Sequence, residues 1–294
     1  MNILPKELPE LRARTVEAMA SVEALGFFHE RAEGRVLNGH APDVLQGWEV
    51  ERLRSADLFY ISEPMAALAK ASSKSLPPYT LEPEDVPTRA GFAFIAPGAF
   101  QVVPTVEPIA AICWGQVEGG IFVTLYADTD LVLQTLLGRG KCTSEQARVH
   151  RGLVGALSPM AFEGVIPYYK SERDVEGVTE EPLLRTLRAA WLLMQQPLAQ
   201  LEDVRADRHA RKRLMRAGHE PGTVRVIRLR RPSSPSAGSG TDREYHHQWI
   251  VRGHWRQQWY PSREVHRPVW IAPHVKGPEG APLLGGEKVH AWVR

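Results

Sequence analysis

The side chains best suited to chemistry crowd the last fifty positions, Tyr245 to Arg294, where Trp, His and Arg recur at short intervals. Metal-independent RNA cleavage needs a general base, a general acid and a cation for the charge that develops on phosphorus. His254, flanked by Arg252 and Arg256, offers part of that set, and His266 or His274 would supply the second proton-transfer group from a neighbouring strand. His246 is excluded as that partner, because eight residues of extended chain hold it about 26 Å from His254. The same residues suit binding without cleavage. Arg252, Arg256 and Lys276, extended by Arg211 and Lys212 of an upstream basic segment, would neutralise phosphates, and Trp270 would offer a ring for a base to stack on.

Other chemistries find no foothold. Adjacent His246 and His247 point to opposite faces of a strand, and neither Cys113 nor Cys142 is near them, so no metal site is expected. There is no nucleotide-binding glycine fingerprint, HExxH pair or nucleophile elbow, and no cofactor is expected. Gly138-Arg139-Gly140-Lys141 reads as a plain turn.

The elements that would position the C-terminal residues follow from alternation. Read as one strand, Tyr245 to Arg256 places Tyr245, His247, Trp249, Val251, Gly253 and Trp255 on one face. His246, Gln248, Ile250, Arg252, His254 and Arg256 share the other. The apolar face predicts that Trp249 and Trp255 pack in a core. His266 to Val275 alternates in the same way, and Tyr260-Pro261-Ser262-Arg263 supplies a turn between the two. A hairpin centred there would set Arg252, His254 and Arg256 beside His266, Trp270 and His274 on one surface. Val224 to Arg230 and Val289 to Val293 would complete a small antiparallel sheet or open barrel.

Charge divides the chain. Residues 205–294 hold 18 Lys and Arg against 7 Asp and Glu, a balance of +11, whereas residues 1–204 hold 18 against 27, a balance of −9. A polyanion, a protein partner, or the acidic N-terminal part of the same chain would each satisfy the basic segment. The predicted organisation is an acidic α+β domain over 1–204 and a connecting segment over 205–240. The latter holds a basic helix, a strand and a Ser/Pro/Gly-rich loop. A basic β module over 241–294 completes the chain.

Upstream, apolar spacing predicts a helix over 6–35 that stops near Gly26, and one or two helices over 48–71. Gly91–Ile95 and Phe100–Val103 read as strands, and Ile109–Trp114 and Ile121–Tyr126 as a hairpin around Glu118-Gly119-Gly120. Asp128–Leu137 reads as helix. A further helix opens at Thr179-Glu180-Glu181-Pro182 and buries Leu184, Leu187, Trp191 and Leu192. Cys113, in an apolar run, reads as a buried structural thiol. With two cysteines, no signal-peptide run and no membrane span, a cytoplasmic location is expected.

The segments Trp249 to Pro261 and Pro268 to Gly277 resemble a terminal module of uncharacterised bacterial and phage-associated proteins. Phe122 to Asp128 resembles a segment of their actinobacterial members. The resemblance implies a mobile-element or defence setting and carries no catalytic residues with it. Three readings follow: an intracellular nucleic-acid-binding protein of α+β fold, a metal-independent ribonuclease acting as a toxin or defence effector, and a scaffold in which the acidic domain docks on the basic tail.

Overall fold

The structure is a computed structural model that describes residues 1–32, 40–98, 100–102, 108–169, 181–230 and 248–276. It is an α+β fold. In chain order the elements are α1 (Leu8–Met19), α2 (Leu25–Ala32), α3 (Pro42–Ser55), β1 (Asp57–Ile61), α4 (Glu63–Ser73), β2 (Ala90–Ile95), β3 (Ile109–Val117), β4 (Gly120–Asp128), α5 (Thr129–Gly138) and α6 (Ser144–Val154). They continue with β5 (Leu157–Pro167), α7 (Glu181–Met194), β6 (Ala199–Arg205), α8 (Arg208–Arg216), β7 (Thr223–Leu229), β8 (Trp249–Val251), β9 (His254–Tyr260), β10 (Val265–Ile271) and β11 (His274–Lys276).

Seven strands form one mixed sheet in the order β5-β4-β3-β2-β1-β7-β6. β1 runs parallel to both β2 and β7, and the remaining pairs are antiparallel. Both faces are covered over β3 and β4, which explains why these strands are nearly continuous apolar runs, whereas the edge strand β6 is largely exposed. Alternation sends Ile112, Trp114, Ile121, Val123 and Leu125 to one side, where α4 and α7 pack. Ala111, Cys113, Phe122 and Tyr126 go to the other, where α1, α2 and α3 pack. The β3–β4 turn needs Gly119 at φ 73°, a backbone region open to glycine without steric cost.

A buried polar cluster ties α3 to the sheet. Glu49 accepts hydrogen bonds from Tyr126 Oη, from Thr124 Oγ1 at 2.9 Å and from Arg52 Nη2 at 2.6 Å. The Arg52 guanidinium also lies 4.3 Å from the Phe122 ring centre. Burial, reinforced by the Glu49 carboxylate, pushes the Tyr126 hydroxyl and the Cys113 thiol well above their ordinary ranges. Cys113 is fully buried, as expected for a structural thiol.

Several sequence expectations need revision. The helix predicted over 6–35 is two helices, broken at Ser21, whose hydroxyl accepts the Ala24 N–H, and Gly26 lies within α2. The stretch 48–71 contains β1 between α3 and α4. Phe100 makes a single antiparallel bridge with Ile109, and Val103 is outside the described residues. The pattern announces neither α6 nor β5, both amphipathic at best. The basic helix is realised as α8, capped by Asp207 through the Ala210 N–H at 2.8 Å.

The strand at 224–230 does not join a C-terminal sheet. It is β7, held between β1 and β6 in the central sheet. β6 pairs with β7 over Ala199 to Arg205, so a boundary at 204/205 cuts through a continuous sheet. The Ser/Pro/Gly-rich loop, Thr179-Glu180 and the strand predicted at 289–293 lie outside the described residues.

Candidate nucleic-acid interface

The basic C-terminal segment builds a β-ribbon. Trp255 pairs with Trp270, and the ladder runs from His254↔Ile271 out to Tyr260↔Val265. A second short ladder, from Val251↔His274 to Trp249↔Lys276, continues the same register. β8–β11 and β9–β10 are therefore two halves of one hairpin, interrupted at Arg252-Gly253 on one strand and Ala272-Pro273 on the other. Pro273 has no N–H to give a ladder. Gly253 is required because a Cβ there would sit 2.5 Å from Trp270 Cζ2 and 3.0 Å from Pro273 Cδ. The single strand predicted over 245–256 is thus broken at Gly253, and its first residues, 245–247, are not among those described.

The ribbon is anchored along its middle. Trp255 and Trp270 meet edge to face at 5.3 Å, are each 9% exposed, and join the apolar cluster built on α4 and α7. Trp255 Nε1 donates to the Ser72 carbonyl at 2.9 Å, and the Trp270 N–H donates to Gln196 Oε1 at 2.9 Å. Arg267 completes the anchor through Glu82, Asp85 at 3.2 Å and Glu84 at 3.4 Å. Burial pushes the Asp85 carboxyl up, and the Glu82 N–H and Arg267 pull it back. Contact between the acidic part and the tail is therefore real at Arg267, but most of the anchoring surface is apolar.

The predicted site residues divide rather than converge. The hairpin is centred on the predicted turn, but its register is one residue away from the arrangement expected. His254 and Arg256 share their face with Ile271, Val269 and Arg267, because residues directly opposite each other point the same way. His266 and Trp270 lie on the face of Trp255. Trp270 is a packing residue and offers no stacking surface.

The ladder partner of His254 is Ile271, five residues from His266, so the two histidines stand about 17 Å apart along the ribbon and on opposite faces. His274 is three residues beyond that partner in the other direction, about 10 Å along the ribbon. The imidazoles of His254 and His274 each meet a carbonyl two residues back, Arg252 at 3.0 Å and Ala272 at 3.1 Å. The pair of histidines that cleavage requires is not assembled.

Exposed cations remain along the ribbon: Arg252, Arg256, Arg263 and Lys276, with Arg256 Nη2 bonded to Gln258 Oε1 at 2.6 Å. Arg211 and Lys212 are also exposed, but α8 lies beside α1 through Arg213–Glu10 at 2.6 Å and His219–Glu17 at 3.1 Å. That places them against the opposite face of the sheet from the ribbon's anchor, so they do not extend its track.

Sequence reasoning missed the tip. Trp259 is 43% exposed and Tyr260 38%, and the His266 ring lies 4.8 Å from that of Trp259, tilted by 45°. Trp259 follows Trp255 on the same strand face, so alternation assigns both to a core. Their exposure separates them: 9% for Trp255 and 43% for Trp259.

Elsewhere, a cleft of about 420 Å³ lies between α1, α2, α5 and α6, with His150 Nε2 3.4 Å from Ser158 Oγ at its wall. Among the described residues no carboxylate orients that imidazole, and the pair lacks the third member a serine nucleophile uses. No group of three or more His, Cys, Asp or Glu among the described residues could hold a metal ion. No helix among them is long and apolar enough to cross a membrane.

No family model matches the chain, and no curated protein does. Among solved structures, that of AcrVA2 is similar over 85% of this chain and 82% of its own, at 15% identity and a TM-score of 0.39. A likeness of that degree carries no statement about function.

Proposed function

We propose that this is a nucleic-acid-binding protein that uses its C-terminal β-ribbon, in the mobile-element or defence setting implied by the tail's resemblance. One observation carries the reading. Residues 248–276 hold five Lys and Arg against a single acidic residue, Glu264, and exposed cations flank two exposed aromatic rings at the ribbon's tip. Guanidinium and ammonium groups neutralise phosphates, and exposed aromatic rings offer faces on which bases stack. Binding here is proposed without cleavage, since the histidines do not converge on one phosphate.

The test is fluorescence anisotropy of labelled DNA and RNA with the full chain across a salt series. Binding weakens with salt, and Arg256→Ala with Arg263→Ala lowers affinity and flattens the log–log salt slope by about 1.5. Absence of salt-sensitive binding to either polymer at low ionic strength overturns the proposal. RNA that stays intact during the incubation is the accompanying expectation.

A further inference from the structure

We infer that the ribbon's tip captures unpaired nucleotides by stacking, rather than gripping the backbone of a duplex; this rests on the nucleic-acid reading above. Trp259 and Tyr260 are consecutive in β9, so their rings leave opposite faces of the ribbon. Each of the two residues keeps more than a third of its surface open to solvent. A duplex holds its bases stacked on one another and shows only their edges, so it gives exposed aromatic faces nothing to stack on except at ends and kinks. Unpaired bases present their π-faces, and each base stacked on an aromatic side chain contributes about 1–3 kcal/mol.

Charge points the same way. Of the five cations in the ribbon, Arg267 is engaged by Glu82, Glu84 and Asp85, and the exposed ones number no more than four: Arg252, Arg256, which is bonded to Gln258, Arg263 and Lys276. Duplex binding sustained by charge draws on about 6–10 phosphate contacts. A ribbon with four must take the balance of its affinity from another source, and the tip rings provide one. His266, the ladder partner of Trp259, lies with its ring 4.8 Å from the indole, so the exposed Trp259 has an aromatic neighbour on its own face of the ribbon. Arg263, whose N–H donates to the Tyr260 carbonyl at 3.1 Å in the turn, would meet the phosphate next to a stacked base.

The experiment compares single-stranded RNA, single-stranded DNA and a blunt duplex of the same sequence, by anisotropy with the full chain at one low salt concentration. Single strands are expected to bind at least about ten-fold tighter than duplex. Trp259→Ala is expected to weaken single-strand binding by about five- to hundred-fold while leaving duplex binding unchanged, and Trp259→Phe to retain most of it. Tyr260→Ala serves as the second variant, and far-UV circular dichroism checks that each variant keeps its fold. Equal affinity for single strands and duplex, or single-strand binding indifferent to both Ala variants, overturns the stacking inference while leaving salt-sensitive polyanion binding standing. No binding to any of the three polymers overturns both.

Discussion

The two tryptophans that anchor the ribbon share a degree of burial but differ in one atom's environment, and that difference makes a sharp prediction. Trp255 Nε1 donates to the Ser72 carbonyl, whereas Trp270 Nε1 is buried with no hydrogen-bond partner among the described residues. Replacing each by Phe removes a similar volume from the same cluster, so the packing losses are comparable. At Trp255 the change also loses a hydrogen bond worth about 0.5–1.5 kcal/mol. At Trp270 it removes a buried unsatisfied donor, whose burial costs about 1–3 kcal/mol, and so offsets part of the packing loss. Trp255→Phe is therefore expected to destabilise by about 2 kcal/mol more than Trp270→Phe. Urea unfolding followed by circular dichroism gives the global values. Hydrogen exchange of the β9 and β10 amides detects local undocking, which would otherwise hide part of the cost. Equal costs, or a greater cost at Trp270, would refute the assignment of the anchor's hydrogen bonds.

Other perturbations probe the remaining supports. Arg267→Ala is expected to cost about 2 kcal/mol at neutral pH, between the values typical of exposed and buried pairs. Burial already raises the Asp85 carboxyl above its unfolded value, and Arg267 restrains that rise, so its loss raises the carboxyl further. The folded state then holds the proton to higher pH than the unfolded state does. The variant's deficit grows as pH climbs through the raised pKa and shrinks as pH falls, which urea midpoints across acidic to neutral pH will measure.

Tyr126→Phe is expected to cost about 1–3 kcal/mol at neutral pH by leaving Glu49 short of a donor. In the native protein the raised pKa values of Tyr126 and Cys113 make stability fall as pH rises through the alkaline range, and the variant should lose the part that begins above the unfolded tyrosine value of about 10 while keeping the Cys113 part. An unchanged alkaline slope would contradict the placement of Tyr126 against Glu49. Gly253→Ala, whose added methyl would meet Trp270 at 2.5 Å, is expected to cost about 1–3 kcal/mol and to raise exchange rates in the ribbon.

How far the sequence discloses this architecture depends on what each signal encodes. The β3–β4 hairpin is legible because both strands are nearly continuous apolar runs and Gly119-Gly120 marks the turn. β1 is hidden because five residues between two helices give periodicity too little length to act on. The anchoring role of Trp255 follows from alternation, but the role of Trp270 does not, because alternation fixes faces within a strand and says nothing of register between strands. Register is set by the connection. Four residues, Pro261 to Glu264, separate the paired Tyr260 and Val265, with Glu264 at φ 53°, and this count puts His254 and Arg256 opposite odd-numbered partners. A loop shorter or longer by one residue would have assembled the surface the sequence suggests. The segment 224–230 shows a related limit. Its alternation identifies a strand, but nothing local says that it inserts beside β1, more than 160 residues earlier in the chain.

The central claim is that the ribbon's tip is where nucleic acid meets this protein. Ultraviolet cross-linking of the full chain to single-stranded RNA and DNA, with mass-spectrometric mapping of the modified residues, tests it most directly. Cross-links are expected on Trp259 and Tyr260, with loss of the adducts in the corresponding Ala variants. Adducts confined to α8 or to the central sheet, under conditions where binding is measurable, would contradict the account.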